Sequence, residues 1–136
     1  MYTDDRNAYR KIFFDTWQKH LKKLPLETVE AQVLEVILAH TEYHALLENP
    51  KQFMSQEFLL EENPFFHMSL HIALREQLHF DKPTGIKQIR ESLSQNHSAH
   101  EAEHLMTTVM AQVMFAAQQS GNAPDEADYL DKLRQL

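Results

Sequence analysis

Apolar residues recur at intervals of three and four along most of the chain, the period of a helix with one buried face. Tyr9, Ile12, Phe13, Trp17, Leu21 and Leu24 predict a first helix over about 5–23. Lys22 and Lys23 suit its negative C-terminal end, and Pro25 stops it. A second helix starts near Thr28 with the stripe Val29, Val33, Val36 and Ile37, continued by His40, His44 and Leu47 until Pro50. Whether one helix runs on through Thr41 and Glu42 is left open by the pattern. Residues 51–62 are weakly periodic and suggest a short helix around 53–60. Asn63 reads as an N-cap, with Pro64 at the first helical position, where its missing N–H is harmless. The helix predicted over 64–80 is apolar almost all round, which marks a buried element.

Beyond Lys82-Pro83, the residues Ile86, Ile89 and Leu93 predict a short amphipathic helix. Ser98 and Glu101 form a capping box for a long helix over 99–119, with Gly121 as its C-terminal signal. Pro124 opens a last short helix, with Asp125, Glu126 and Asp128 near its start and Lys132 and Arg134 near its end. Every segment reads as helix. The expected architecture is all-α, a helical bundle of four longer helices with short accessory helices. The length of 136 residues suits a single helical-bundle domain over 1–136.

Composition narrows the chemistry. There is no cysteine, so thiolate zinc sites, iron–sulfur clusters and cysteine nucleophiles are excluded. Only 2 glycines occur, where average usage would give roughly nine. Glycine-built phosphate loops and primed hairpin turns are thereby excluded. Thirteen Lys and Arg against 20 Asp and Glu leave a net charge of −7, which argues against nucleic acid as a partner. Residues 1–11 are polar and carry Asp4 and Asp5, unlike a signal peptide. The apolar stretches 33–39 and 109–117 are broken by Glu35 and Gln112, short of the ~18 apolar residues of a membrane span. A cytoplasmic address is expected, with no membrane partner and with self-association left open.

Nine histidines are the anomaly. Three pairs stand four residues apart: His40/His44, His67/His71 and His100/His104. Random scatter would give about half a pair. Residues four apart on a helix share a face, and two imidazoles there can converge on one ion. His67 and His71 share a face with Leu74 and Leu78, and His100 and His104 share one with Thr107, Ala111 and Phe115. His40 and His44 continue the Val29–Ile37 stripe. All three pairs are therefore expected to face the interior, where helical metalloproteins build their sites. The plainer reading of a histidine on an apolar face is a hydrogen-bonded core residue. Six buried imidazoles would need many acceptors, each unsatisfied group costing about 1–3 kcal/mol.

Nearby carboxylates bear on the choice of metal. Glu101-x-x-His104 has the spacing of carboxylate-bridged di-iron bundles, and His100-x-x-Glu103 offers a second carboxylate. The full di-iron pattern needs two such motifs and two further glutamates. Glu76 lies about 140° around the helix from His71. A histidine-rich set with one or two carboxylates suits iron, zinc, nickel or copper and disfavours calcium or magnesium. His100-Glu101-Ala102-Glu103-His104 also matches the H-E-x-x-H of zinc proteases, but no histidine follows His104 and no strand is predicted to hold a peptide. Met106, Met110 and Met114 form a stripe beside the histidine face; soft copper would use it, but adaptable core packing is the ordinary role.

Asn63-Pro64-Phe65-Phe66-His67, Leu70-His71-Ile72-Ala73-Leu74-Arg75-Glu76-Gln77, Asp81-Lys82-Pro83-Thr84-Gly85-Ile86 and His100-Glu101-Ala102-Glu103-His104 resemble a bacterial domain-of-unknown-function family of short helical proteins. The resemblance spans most of the chain and implies a helical fold and a bacterial, cytoplasmic protein. It implies no activity, substrate or cofactor.

The expected function is transition-metal binding in a histidine-rich core site. The candidate ligands are His67, His71, His100 and His104, then His44 and His40, with Glu101 or Glu103 as a bridging or supporting carboxylate. Iron is favoured slightly over zinc, because zinc does not need the E-x-x-H spacing. The alternatives are a non-catalytic interaction module with a structural or pH-sensing histidine network, and a zinc hydrolase using the H-E-x-x-H-like segment.

Overall fold

The computed structural model describes residues 2–136, so Met1, within the polar N-terminal stretch noted above, lies outside the described residues. The fold is all-α. Among the described residues there are eight α-helices and no strand. Four of the helices are long: α1 (Tyr2–Leu21), α2 (Thr28–Ala39), α5 (Pro64–Phe80) and α7 (Ala99–Ser120). The short ones are α3 (His44–Leu47), α4 (Pro50–Phe53), α6 (Ile86–Leu93) and α8 (Glu126–Arg134). Among the described residues, no helix is long and apolar enough to cross a membrane. The chain divides into two compact units, Met1–Ser69 and Leu70–Leu136, with α5 continuous across the division.

In the first unit, α1 packs on α2. The α1 face is rotated from the predicted stripe. Phe13 and Trp17 are buried, but so are Arg10 and Phe14, while Tyr9, Ile12, Leu21 and Leu24 are exposed. Arg10 explains the rotation. Its Nη1 donates to the carbonyls of Phe53, Met54 and Gln56 at 3.3, 3.1 and 2.8 Å. Its guanidinium also lies over the Phe58 and Phe65 rings, 5.4 and 4.8 Å from their centroids. A buried arginine is tolerated only with such a set of acceptors. The same contacts explain why the predicted helix over 53–60 does not form. Those carbonyls turn toward one guanidinium instead of along a helix axis, so α4 ends at Phe53 and only a 3-10 turn, Leu60–Glu62, follows.

Phe65, at the start of α5, meets Phe13 and Phe14 at centroid distances of 5.8 and 5.6 Å, and its carbonyl accepts from the Tyr9 hydroxyl at 3.0 Å. Val33, Val36 and Ile37 bury the inner face of α2, and Val29 is exposed. The question the sequence leaves open at Thr41 is answered by a break. His40 leaves helical geometry, with φ −121° and ψ 69°, and a 3-10 turn, Thr41–Tyr43, precedes α3.

In the second unit, α7 packs on α6 and α8. Asp81 Oδ1 accepts from the backbone N–H groups of Gly85 and Lys87, which organises the turn into α6. Ser98 and Glu101 make the predicted reciprocal cap of α7. Gly121 ends α7 with φ 76°, a left-handed conformation that a Cβ disfavours. Met106, Val109, Met110 and Val113 form the buried stripe of α7, and Tyr129 and Leu133 that of α8. The Tyr129 hydroxyl donates to Gln77 Oε1 at 2.8 Å, and burial raises its pKa.

Candidate metal centre

His67 and His71 stand one turn apart on α5 and carry two groups of imidazoles. The first is His40 with His67. His40 is buried at 1% exposure, at the residue where α2 ends. Its Nδ1 lies 2.8 Å from the Val36 carbonyl. A carbonyl only accepts, so Nδ1 carries the proton and Nε2 presents a lone pair. That Nε2 lies 3.2 Å from Nε2 of His67. Two lone pairs cannot face each other at that distance, so a proton or a cation must lie between them. Two imidazoles on one tetrahedral ion, with bonds of about 2.0–2.1 Å, place their nitrogens about 3.3 Å apart. Tyr43 stacks on His40 with a centroid distance of 5.7 Å.

The second group is centred on His71, which is fully buried. Its Nδ1 donates to Glu103 Oε1 at 2.8 Å, so in the neutral imidazole Nε2 carries the lone pair. Glu103 is itself buried, and it also accepts from Arg75 Nε at 2.8 Å and Arg75 Nη2 at 3.4 Å. Burial raises the carboxyl pKa, but the hydrogen bonds from His71 and Arg75 outweigh it and hold the group at about 2. The carboxylate thus orients an imidazole through Nδ1, as outer-shell carboxylates do for metal-bound histidines. The His104 ring lies 4.8 Å from that of His71, and His100 stacks parallel to His71 at 6.0 Å.

In the first unit the ring nitrogens of His40 and His67 lie 3.2 Å apart, and in the second the rings of His71 and His104 lie 4.8 Å apart. Neutral imidazoles paired in this way can contribute ligands to a late first-row transition ion.

The remaining sequence candidates fall elsewhere. His44 is separated from His40 by the 3-10 turn; its Nε2 pairs with the Ile37 carbonyl at 2.8 Å and its ring lies 4.3 Å from Trp17. His100 is exposed, against the expectation that every pair faces inward. Glu101 is exposed in the first turn of α7, where its carboxylate accepts from the Ser98 backbone N–H at 3.1 Å, and that bond lowers its pKa. Glu103 is engaged by His71 and Arg75. Neither carboxylate is arranged as a bridging ligand, and Glu101 is not turned to serve as the base of an H-E-x-x-H protease. Glu76 is exposed. Arg75 was not among the sequence candidates. Its position four residues after His71, on the same face of α5, is the signal that points to it.

The model of one protein family, the domain of unknown function DUF1841, matches residues 5–135. The chain belongs to this family. No curated protein and no solved structure matches it. In this DUF1841 chain, His40, His67, His71, His104, Arg75 and Glu103 all lie within the matched span.

Proposed function

We propose that this DUF1841 protein binds a divalent late transition-metal ion through its inward-facing histidines, with His40, His67, His71 and His104 as the candidate ligands. The observation that carries the reading is the orientation of the buried imidazoles. His40 and His71 each commit Nδ1 to an acceptor, Val36 O and Glu103 Oε1, which in the neutral imidazole keeps Nε2 for an ion. The ground for preferring iron was a carboxylate among the ligands. With Glu101 at a helix cap and Glu103 behind His71, the ligand set is all imidazole, which suits zinc in a four-coordinate site. Four protein ligands fill a tetrahedron, so a structural, storage or sensing role is favoured over hydrolysis.

Elemental analysis of protein purified without a histidine tag tests the reading. One zinc per chain is expected, lost in His67→Ala and His71→Ala and retained in His20→Ala and His79→Ala. A metal-free protein that takes up no zinc on titration would reject it. That result would favour a structural histidine network, a reading supported by the acceptors that His40 and His71 already possess.

A further inference from the structure

The buried ligands raise a kinetic question: how an ion reaches them. His71 is fully buried and His40 is 1% exposed, so neither meets a hydrated ion in solvent. Two other imidazoles grade the path outward on the His71 side. His104 is half-buried, and His100, one turn earlier on the same face of α7, is exposed. The rings of His100 and His104 are 4.3 Å apart, and His100 lies parallel to the buried His71 ring at 6.0 Å. Three imidazoles of falling exposure therefore lie in series within the second unit, with His104 between His100 and His71.

We infer that His100 and His104 form an outer capture site for the divalent ion, from which it passes to the buried His71 by ligand exchange. This deepens the metal-binding reading and rests on it. Two histidines four apart on a helix bind a partly hydrated ion, the other positions staying with water. The ion then trades His100 for His71 while His104 holds it throughout. No bond but metal–nitrogen and metal–water bonds forms or breaks. His100 is absent from the final set, so it lowers the barrier equally in both directions and leaves the equilibrium unchanged. Its position in the first turn of a capped helix keeps it clear of the buried core.

The experiment mixes metal-free full-length protein with zinc in a stopped-flow instrument, with a chromophoric zinc indicator, and then measures release to excess chelator. Stoichiometry and Kd come from equilibrium competition, and circular dichroism confirms folding. His100→Ala is expected to bind one zinc with near-wild-type Kd, but to load and release it about tenfold more slowly, a change within the range over which single substitutions move association rates. His100→Asp, which restores a ligating group, should recover much of the rate. His71→Ala should lose affinity instead, and the exposed His79→Ala should change nothing. Unaltered rates in His100→Ala, with zinc bound normally by the wild type, would overturn the capture site and leave the inner site standing. A loss of affinity in His100→Ala equal to that in His71→Ala would also overturn it, by making His100 a resident ligand. Failure of the wild-type protein to bind zinc would refute the inner site itself.

Discussion

Glu103→Ala removes the carboxylate behind His71 without touching any proposed ligand. Two losses follow, and they are measurable separately. In metal-free protein the buried His71 Nδ1–H and the Arg75 guanidinium lose their acceptor. Hydrogen bonds to charged groups are worth about 1.5–3 kcal/mol each. The Arg75 side chain is 33% exposed and can turn to water, so its share is largely recovered; His71 is fully buried and has no such recourse. The metal-free protein should therefore be destabilised by about 2 kcal/mol. The second loss appears only with metal. Without the carboxylate, His71 is less fixed in orientation, and changes of this kind behind a metal-bound histidine weaken metal affinity by about 10–100-fold, or about 1.4–2.7 kcal/mol. Denaturant unfolding in chelator reports the first loss, and the same unfolding in excess zinc reports the sum. Competition titration gives the affinity change directly, and by linkage it must equal the difference between the two unfolding results. A stability loss in chelator with unchanged zinc affinity would refute His71 as a ligand supported by Glu103.

Two further outcomes are expected. Chelation of a resident ion present at a hundredfold excess over its Kd should remove about 2.7 kcal/mol; at about 3 °C per kcal/mol for a chain of this size, the melting temperature should fall by about 8 °C, and an unchanged melting curve after confirmed metal removal would mean that the ion does not stabilise the fold. Arg10→Met keeps the buried volume but abandons three carbonyls, so it should cost about 3 kcal/mol and open residues 53–58 to limited proteolysis, with zinc binding measured in parallel; wild-type stability and protection would contradict the role assigned to that guanidinium.

Helix type and most helix ends were legible in the sequence, because both are local. The spacing of apolar residues, Asn63-Pro64 before α5, the Ser98–Glu101 box before α7 and Gly121 after it act through neighbours within a turn. The histidine pairs were legible for the same reason, since a four-residue interval places two rings on one face of any helix. Three features were not. The α1 face follows Arg10, whose acceptors lie more than forty residues away. His40 and His44, a pair by spacing, part company because α2 ends at Ala39 and a 3-10 turn, Thr41–Tyr43, separates them. Glu101 and Glu103, two residues apart, divide into a helix cap and the support of a buried imidazole. The pattern along the chain determined which side chains share a helix face. Only the tertiary structure decided which nitrogen of each imidazole is bound to an acceptor and which presents its lone pair, because hydrogen bonds such as that from His71 to Glu103 join atoms that only the packing of separate helices brings within 3 Å.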